Sequence, residues 1–192
     1  DMLFSLFTLI VGSLADLLAL ALLTRFAMQW APSLFRSPLG NFIAAVTDWA
    51  VLPARKMVPG LFGLDMASLV LAWLVQSIYI GVLLAITGLH GGMSVGALGI
   101  ALIAGLIEAL RLGVYLAMAS IIISAVFSWM SPHAAIAPAV HRLAEPLLRP
   151  FRRVIPLVGG VDLSPLFALL VLQALLIVLG SVRAALLPFL IR

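Results

Sequence analysis

Four long apolar runs organise the chain, at residues 3–30, 66–87, 97–129 and 163 to about 187. A helix needs about 20 predominantly apolar residues to cross a hydrocarbon core about 30 Å thick, and each run reaches that length. The pattern therefore predicts four membrane-spanning helices. The first and third runs exceed a minimal span, so they must tilt, kink or extend past the hydrocarbon. The opening run from Met2 to Leu23 is too long for a cleaved signal peptide and lacks its basic flank, which makes it a retained helix.

Between the spans the spacing changes. Leu39, Phe42, Ile43, Val46, Trp49 and Ala50 recur at helical intervals, while Asn41, Thr47 and Asp48 lie off that stripe. This is the pattern of a helix lying in the headgroup layer. Val140, Leu143 and Leu147 make a weaker stripe, with His141, Arg142, Glu145 and Arg149 facing away. Glu145 is four residues from both His141 and Arg149, within side-chain reach. Pro146 is expected to distort this second helix.

The segment PARKMVPGLFGLD (residues 53–65) returns 97 residues later as PFRRVIPLVGGVD (residues 150–162). Without gaps, Asp48, Pro53, Arg55, Lys56, Pro59, Gly63 and Asp65 align with Glu145, Pro150, Arg152, Arg153, Pro156, Gly160 and Asp162. The register continues into the spans, matching Leu69 with Leu166 and Gln76 with Gln173. Upstream, after a small length change, Trp30-Ala31-Pro32 resembles Trp129-Met130-Ser131-Pro132, and Pro38 resembles Pro138. Chance likeness between apolar runs does not order Pro, Arg, Gly and Asp in this way, so the chain is a tandem repeat. The first repeat covers residues 1–89, a Gly-rich connector 90–96, and the second repeat 97–192. Each repeat holds two spans, so both point the same way, which predicts a pseudo-twofold along the membrane normal. The expected fold is an all-α membrane protein with about four transmembrane helices in two parallel repeats. Each repeat carries a cytoplasmic amphipathic interfacial helix and a Pro/Arg-rich turn.

The repeated residues suggest roles. Pro53, Pro59, Pro150 and Pro156 are expected to forbid regular helix through the basic turn and hold it semi-extended. Gly63 and Gly160 open backbone angles closed to other residues. Asp65 and Asp162 directly precede apolar runs and read as caps for the orphaned amides of the second and fourth spans. Arg55, Lys56, Arg152 and Arg153 have two readings. One is topology and lipid anchoring, at roughly 1 kcal/mol per basic residue near an anionic surface. In the other, Arg55 and Arg152 pair with Asp48, Glu145, Asp65 or Asp162, a fork-shaped contact that would explain why arginine holds that position in both repeats.

Within the spans, Asp16, Glu108 and Arg111 need partners. Glu108 and Arg111 are three apart and can pair locally, and Asp16 with Arg111 across helices is a second expectation. Gln76 and Gln173 occupy equivalent positions and could form a polar pair on the pseudo-axis or bond across helices. Ala97, Ala101, Gly105, Ala109, Gly113 and Ala117 place a small residue every fourth position, a ridge on which a helix can pack closely, inside the molecule or against another copy.

Composition narrows the function. Of 192 residues, 65% are hydrophobic and only 9% charged, with a mean hydropathy of +1.28, which excludes a soluble domain. There is no cysteine, hence no disulfide, thiolate metal site or thioether haem. The net charge is +4, but the cations sit beside apolar spans, so anionic lipid rather than nucleic acid is the expected partner. Arg36, Arg55, Lys56, Arg142, Arg149, Arg152 and Arg153 all fall on one side of a four-span topology. The positive-inside rule makes that side cytoplasmic and puts both termini outside, with Arg183 and Arg192 near the outer end. His90, with Met93, reads as a solvated loop residue rather than a ligand. No nucleophile motif, phosphate-binding loop or metal cluster stands out, so no catalytic residue, metal or cofactor is expected.

The stretches TDWAVLPARKMVPGLFGLDMASLVLAWLVQ and AEPLLRPFRRVIPLVGGVDLSPLFALLVLQ resemble the YggT (YlmG-like) family of small bacterial and plastid membrane proteins, whose bacterial members commonly carry two such repeats. One departure is Thr47-Asp48-Trp49, where the family usually has an acid or similar residue followed by proline, as in Glu145-Pro146. The resemblance implies links to osmotic and envelope stress, ion homeostasis, cell division, nucleoid distribution or cytochrome assembly, and a bacterial inner-membrane location. Two functions are thus expected. The first is a non-enzymatic scaffold or assembly factor whose basic turns engage anionic lipid, a second copy or a membrane-protein partner. The alternative is a small ion or solute transporter or channel subunit, with a path near Asp16, Arg111, Gln76 and Gln173.

Overall fold

The computed structural model describes residues 2–88 and 95–191. Most of the glycine-rich connector, including His90 and Met93, lies outside them. Four helices are long and apolar enough to cross a membrane. They are α1 (Met2–Ala27), α3 (Ala67–Thr87), α4 (Val95–Met130) and α6 (Ser164–Ile191). Two further helices, α2 (Pro38–Ala54) and α5 (Ala137–Val154), precede the repeated turns. The protein is an all-α multi-pass membrane protein.

Local chemistry sets the boundaries. After α1 the chain tightens into two 3-10 turns, Met28–Trp30 and Pro32–Arg36. Ser37 then caps α2, its hydroxyl accepting the Gly40 amide at 3.1 Å, with Pro38 in the first turn. Gly88, in the left-handed conformation (φ +63°), closes α3.

The proline expectation is corrected in one respect. Pro53 lies inside α2 and Pro146 and Pro150 inside α5, and both helices run through them. All three prolines are exposed, so the missing amide bonds fall on the outer side of each helix. Regular helix ends only before Pro59 and Pro156. Arg152 and Arg153 consequently sit in the last turn of α5, where cations complement the helix dipole.

Each repeat has the same internal packing: its first span on its second, and the short helix beneath both. On α2, Gly40, Ile43, Thr47 and Val51 face the bundle while Leu39, Phe42, Trp49 and Leu52 are exposed. On α5, Ala137, Val140, Ala144 and Leu148 face inward and Arg142, Glu145 and Arg149 outward. Ala139 and Leu143 of α5 join a cluster with Leu34 and Ile43, so the two short helices share one apolar cluster with the 3-10 turns at one end of the bundle, termed the turn end below.

Between repeats the packing is asymmetric. A twofold would map the α3–α4 contact onto α6–α1. The first is the most extensive in the molecule, and the second has no comparable counterpart. The reason is Gly105. A Cβ there would fall 2.6 Å from the Ser77 amide nitrogen, so the helices touch backbone to backbone. Trp73 adds a bond from its ring nitrogen to the Leu102 carbonyl at 2.8 Å. In the register that pairs Trp30 with Trp129, Leu6 of α1 stands where α4 has Gly105. Its bulk denies α6 the same approach. The small-residue ridge of α4 is thus used inside the molecule at Ala97, Ala101, Gly105 and Ala109, all buried.

Candidate functional site: twin hairpins and a charged cleft

The repeated turns are two-residue hairpins. In the first, Leu61 and Leu64 exchange amide-to-carbonyl bonds at 3.0 and 2.9 Å; in the second, Val158 and Val161 do so at 3.1 and 3.0 Å. The central residues all have positive φ: Phe62 (54°) and Gly63 (76°), then Gly159 (60°) and Gly160 (80°). This is the I′ geometry that glycine favours. Phe62 is the anomaly. A bulky residue there is strained, and its side chain is 96% exposed, so no internal contact compensates.

An arginine locks each hairpin to the span that follows. Asp65 Oδ1 accepts the Ala67 amide at 3.0 Å while Oδ2 takes the Arg55 Nε. Asp162 Oδ1 accepts the Ser164 amide at 2.9 Å while Oδ2 takes the Arg152 Nε, also at 2.9 Å. Ala67 and Ser164 are the first residues of α3 and α6, so each carboxylate both caps a span and holds the arginine. Gln29 braces the first hairpin further. Its amide nitrogen donates to the Asp65 carbonyl at 3.1 Å and its oxygen accepts the Asp65 amide at 2.8 Å.

The two repeats use the first acid of the motif differently. Glu145 accepts Arg152 Nη1 at 2.5 Å. Its counterpart Asp48 accepts Arg25 of α1 at 2.6 Å, beside Thr47 Oγ1 at 2.8 Å. Ser124 replaces Arg25 in the second repeat and bonds His141 Nδ1 at 2.7 Å. Arg25 and Gln29 were not singled out from sequence, although a lone arginine at the end of a span was a visible signal. Thr47, expected off the apolar stripe, is instead fully buried against the bundle, where it meets Arg25.

Burial works against ionisation of Asp162, but the Ser164 hydrogen bonding and Arg152 outweigh it and hold its carboxyl below the ordinary 3.8. A depressed folded pKa stabilises above the unfolded value and is lost as pH falls through the folded one. The melting temperature of the purified protein should therefore fall below about pH 4, and Asp162→Asn should flatten that part of the profile. A profile identical in the variant would contradict the assignment.

The intramembrane polar residues lie toward the other, far end. Glu108 accepts Arg111 Nη1 on both oxygens at 3.1 Å and Arg183 Nη1 at 3.0 Å. The expected pairing of Asp16 with Arg111 is not found among the described residues. Arg111 is taken up by Glu108 on its own helix, and Gln76 Nε2 instead donates to Asp16 at 2.9 Å. Nor do the glutamines pair. Gln76 is buried, whereas Gln173 is exposed on α6, which packs on α4 and α5 away from α3. Asp16, Gln76, Glu108, Arg111 and Arg183 line one cleft of about 570 Å3 between α1, α3, α4 and α6. No group of three or more His, Cys, Asp or Glu suited to a metal occurs among the described residues.

Four membrane-length helices and a duplicated hairpin define a multi-pass membrane protein built from two like units. The chain belongs to the CCB3/YggT family, whose profile matches residues 4–86 and again 103–183. It is 36% identical over 178 residues to an uncharacterised protein of Pseudomonas aeruginosa, covering 91% of this chain and 89% of the relative. Identity to the uncharacterised YggT of Escherichia coli K12 is 33% over 169 residues, covering 88% and 86%. An uncharacterised Vibrio alginolyticus protein is 29% identical over 174 residues, covering 90% and 92%. No solved structure matches the chain.

Proposed function

We propose that the protein is a non-enzymatic scaffold of the bacterial inner membrane, whose twin hairpins form a cytoplasmic platform that grips anionic lipid and presents a docking edge to a membrane-protein partner or a second copy. One observation carries this reading. Arg55 and Arg152 are consumed in holding the hairpins, while Lys56 and Arg153 stay exposed beside exposed apolar side chains of the same turn segments: Met57 and Phe62 in one, Val154 and Leu157 in the other. A fixed apolar point flanked by cations suits the boundary between headgroups and acyl chains. Trp30, Trp49 and Trp129 lie at the same end, as interfacial aromatics do. The spans begin a few residues after the hairpins, which supports a position near that boundary.

The test is lipid retention by the purified protein in mixed phosphatidylglycerol and phosphatidylcholine nanodiscs, read by native mass spectrometry. Wild type should retain phosphatidylglycerol preferentially. Removing two interfacial cations (Lys56→Ala with Arg153→Ala) should weaken that preference by about 2 kcal/mol. An unchanged preference would sink the reading. Phe62→Gly gives a second, opposed signature. It relieves the positive-φ strain and should stabilise the fold by about 1 kcal/mol, yet shorten lipid residence at the first hairpin.

A further inference from the structure

The cleft at the far end is unrelated to the hairpins and has a charge layout of its own. Its inner limit is an apolar plug, where Leu18, Leu22 and Leu23 of α1 pack with Leu112 and Leu116 of α4. It is therefore blind toward the turn end, and it extends through Thr8 and Thr87 toward the far end. Residues of both α1 and α6 line it, and these two helices make no extensive contact with each other among the described residues. Two poles line it. Arg111 and Arg183 converge on the single carboxylate of Glu108, which leaves one positive charge in excess. The Arg183 side chain is 52% exposed and, among the described residues, has Glu108 as its ion-pair partner through Nη1. Asp16 is the opposite pole. Among the described residues it has the Gln76 amide as its hydrogen-bond partner and no cation within ion-pair distance, an unusual state for a carboxylate within a span. Because Gln76 donates through its nitrogen, its carbonyl oxygen stays available as a second acceptor beside Asp16. The remaining wall is largely apolar, with Leu9, Leu83, Leu112 and Leu186.

We infer that this cleft binds a small zwitterion: an oxyanion held by Arg183 and Arg111, an ammonium held by Asp16 and Gln76, and an apolar portion against the leucines. Neither an inorganic anion nor a cation satisfies both poles, whereas a molecule bearing both charges neutralises them together in a site of ordinary ligand size. A free amino acid and the phosphoethanolamine headgroup of a lipid entering between α1 and α6 share this chemistry.

Two arms separate these sources. In detergent, the purified full chain is titrated calorimetrically with L-leucine, with leucinamide (cation only) and with 4-methylvalerate (anion only). In nanodiscs, retention of phosphatidylethanolamine is compared with phosphatidylcholine by native mass spectrometry. The inference expects either L-leucine binding at least about tenfold tighter than both single-charge analogues, or selective phosphatidylethanolamine retention. In either case Asp16→Asn and Arg183→Gln should each weaken the interaction about tenfold. Asp16→Asn keeps the Gln76 contact and Arg183 is half exposed, so the melting temperatures of both variants should stay near that of wild type, which separates loss of binding from loss of fold. The inference is overturned if neither zwitterion binds, if a single-charge analogue binds as well, or if both variants bind like wild type.

Discussion

Replacing Gly105 with leucine is expected to force α3 and α4 apart and to destabilise the protein by about 3 kcal/mol, the upper range for overpacking a tight interface. Even a single Cβ would meet Ser77 Oγ at 2.2 Å and its backbone nitrogen at 2.6 Å. The hydroxyl could rotate away, but the backbone could not. Gly105→Ala should thus already cost about 1 kcal/mol, because the helices must separate by several tenths of an ångström. Separation also draws Trp73 from the Leu102 carbonyl, a contact that buries the indole N–H. Unfolding in mixed micelles measures the loss, and Trp73 fluorescence reports the opened contact. Gly113, which has open space around its Cβ position, supplies the control: Gly113→Ala should be neutral or slightly stabilising through helix propensity. Equal losses at both sites would show that close packing at Gly105 is not what joins the repeats.

The contrast between these glycines marks how far sequence could be read. The spacing of small residues announced a close helix contact on α4, but not which neighbour would take it. That depends on Leu6 standing at the matching position of α1, a comparison that matters only once the helices are placed. Span positions and the duplicated turn were legible because hydrophobic length and a gapless repeat are local signals. The reach of helix through Pro53, Pro146 and Pro150 was not, since a proline's effect depends on whether the freed carbonyl faces outward. Asp65 and Asp162 stand two residues before the starts of α3 and α6, and each also holds its arginine, a pairing the sequence offered only among several. The partners of Asp16 and Asp48 were out of reach for a different reason. Several cations lie at comparable depth, and small differences in helix rotation choose among them. Arg183, taken as a terminal charge, belongs to the cleft because α6 packs against α4 rather than α3.

Asp48 and Glu145 occupy equivalent repeat positions, yet their removal should have very different consequences. Arg25 has a side chain only 9% exposed, with Asp48 as its sole carboxylate and Thr47 Oγ1 as its other partner among the described residues. Its Nε is already buried with no hydrogen-bond partner among them. Thr47 cannot replace the acid, because its hydroxyl is committed to the Ile43 carbonyl at 2.6 Å and offers no charge. Asp48→Ala therefore leaves a buried guanidinium uncompensated, and a loss of about 3 kcal/mol is expected, the low end for a broken buried pair because Asp48 itself is 44% exposed. Glu145→Ala removes a contact between side chains 51% and 42% exposed, and Arg152 keeps Asp162, so less than about 1 kcal/mol should be lost. If charge burial is the cause, Arg25→Met in the Asp48→Ala background should recover most of the stability, since an apolar side chain of similar length needs no counter-ion. Comparable losses at Asp48 and Glu145, or no recovery in the double variant, would show instead that Asp48 acts through α2 itself. The different fates of these two acids follow from one substitution in the repeat. Arg25 in α1 stands where α4 carries Ser124, so the first repeat ties its short helix to its span by charge and the second by the Ser124 bond to His141.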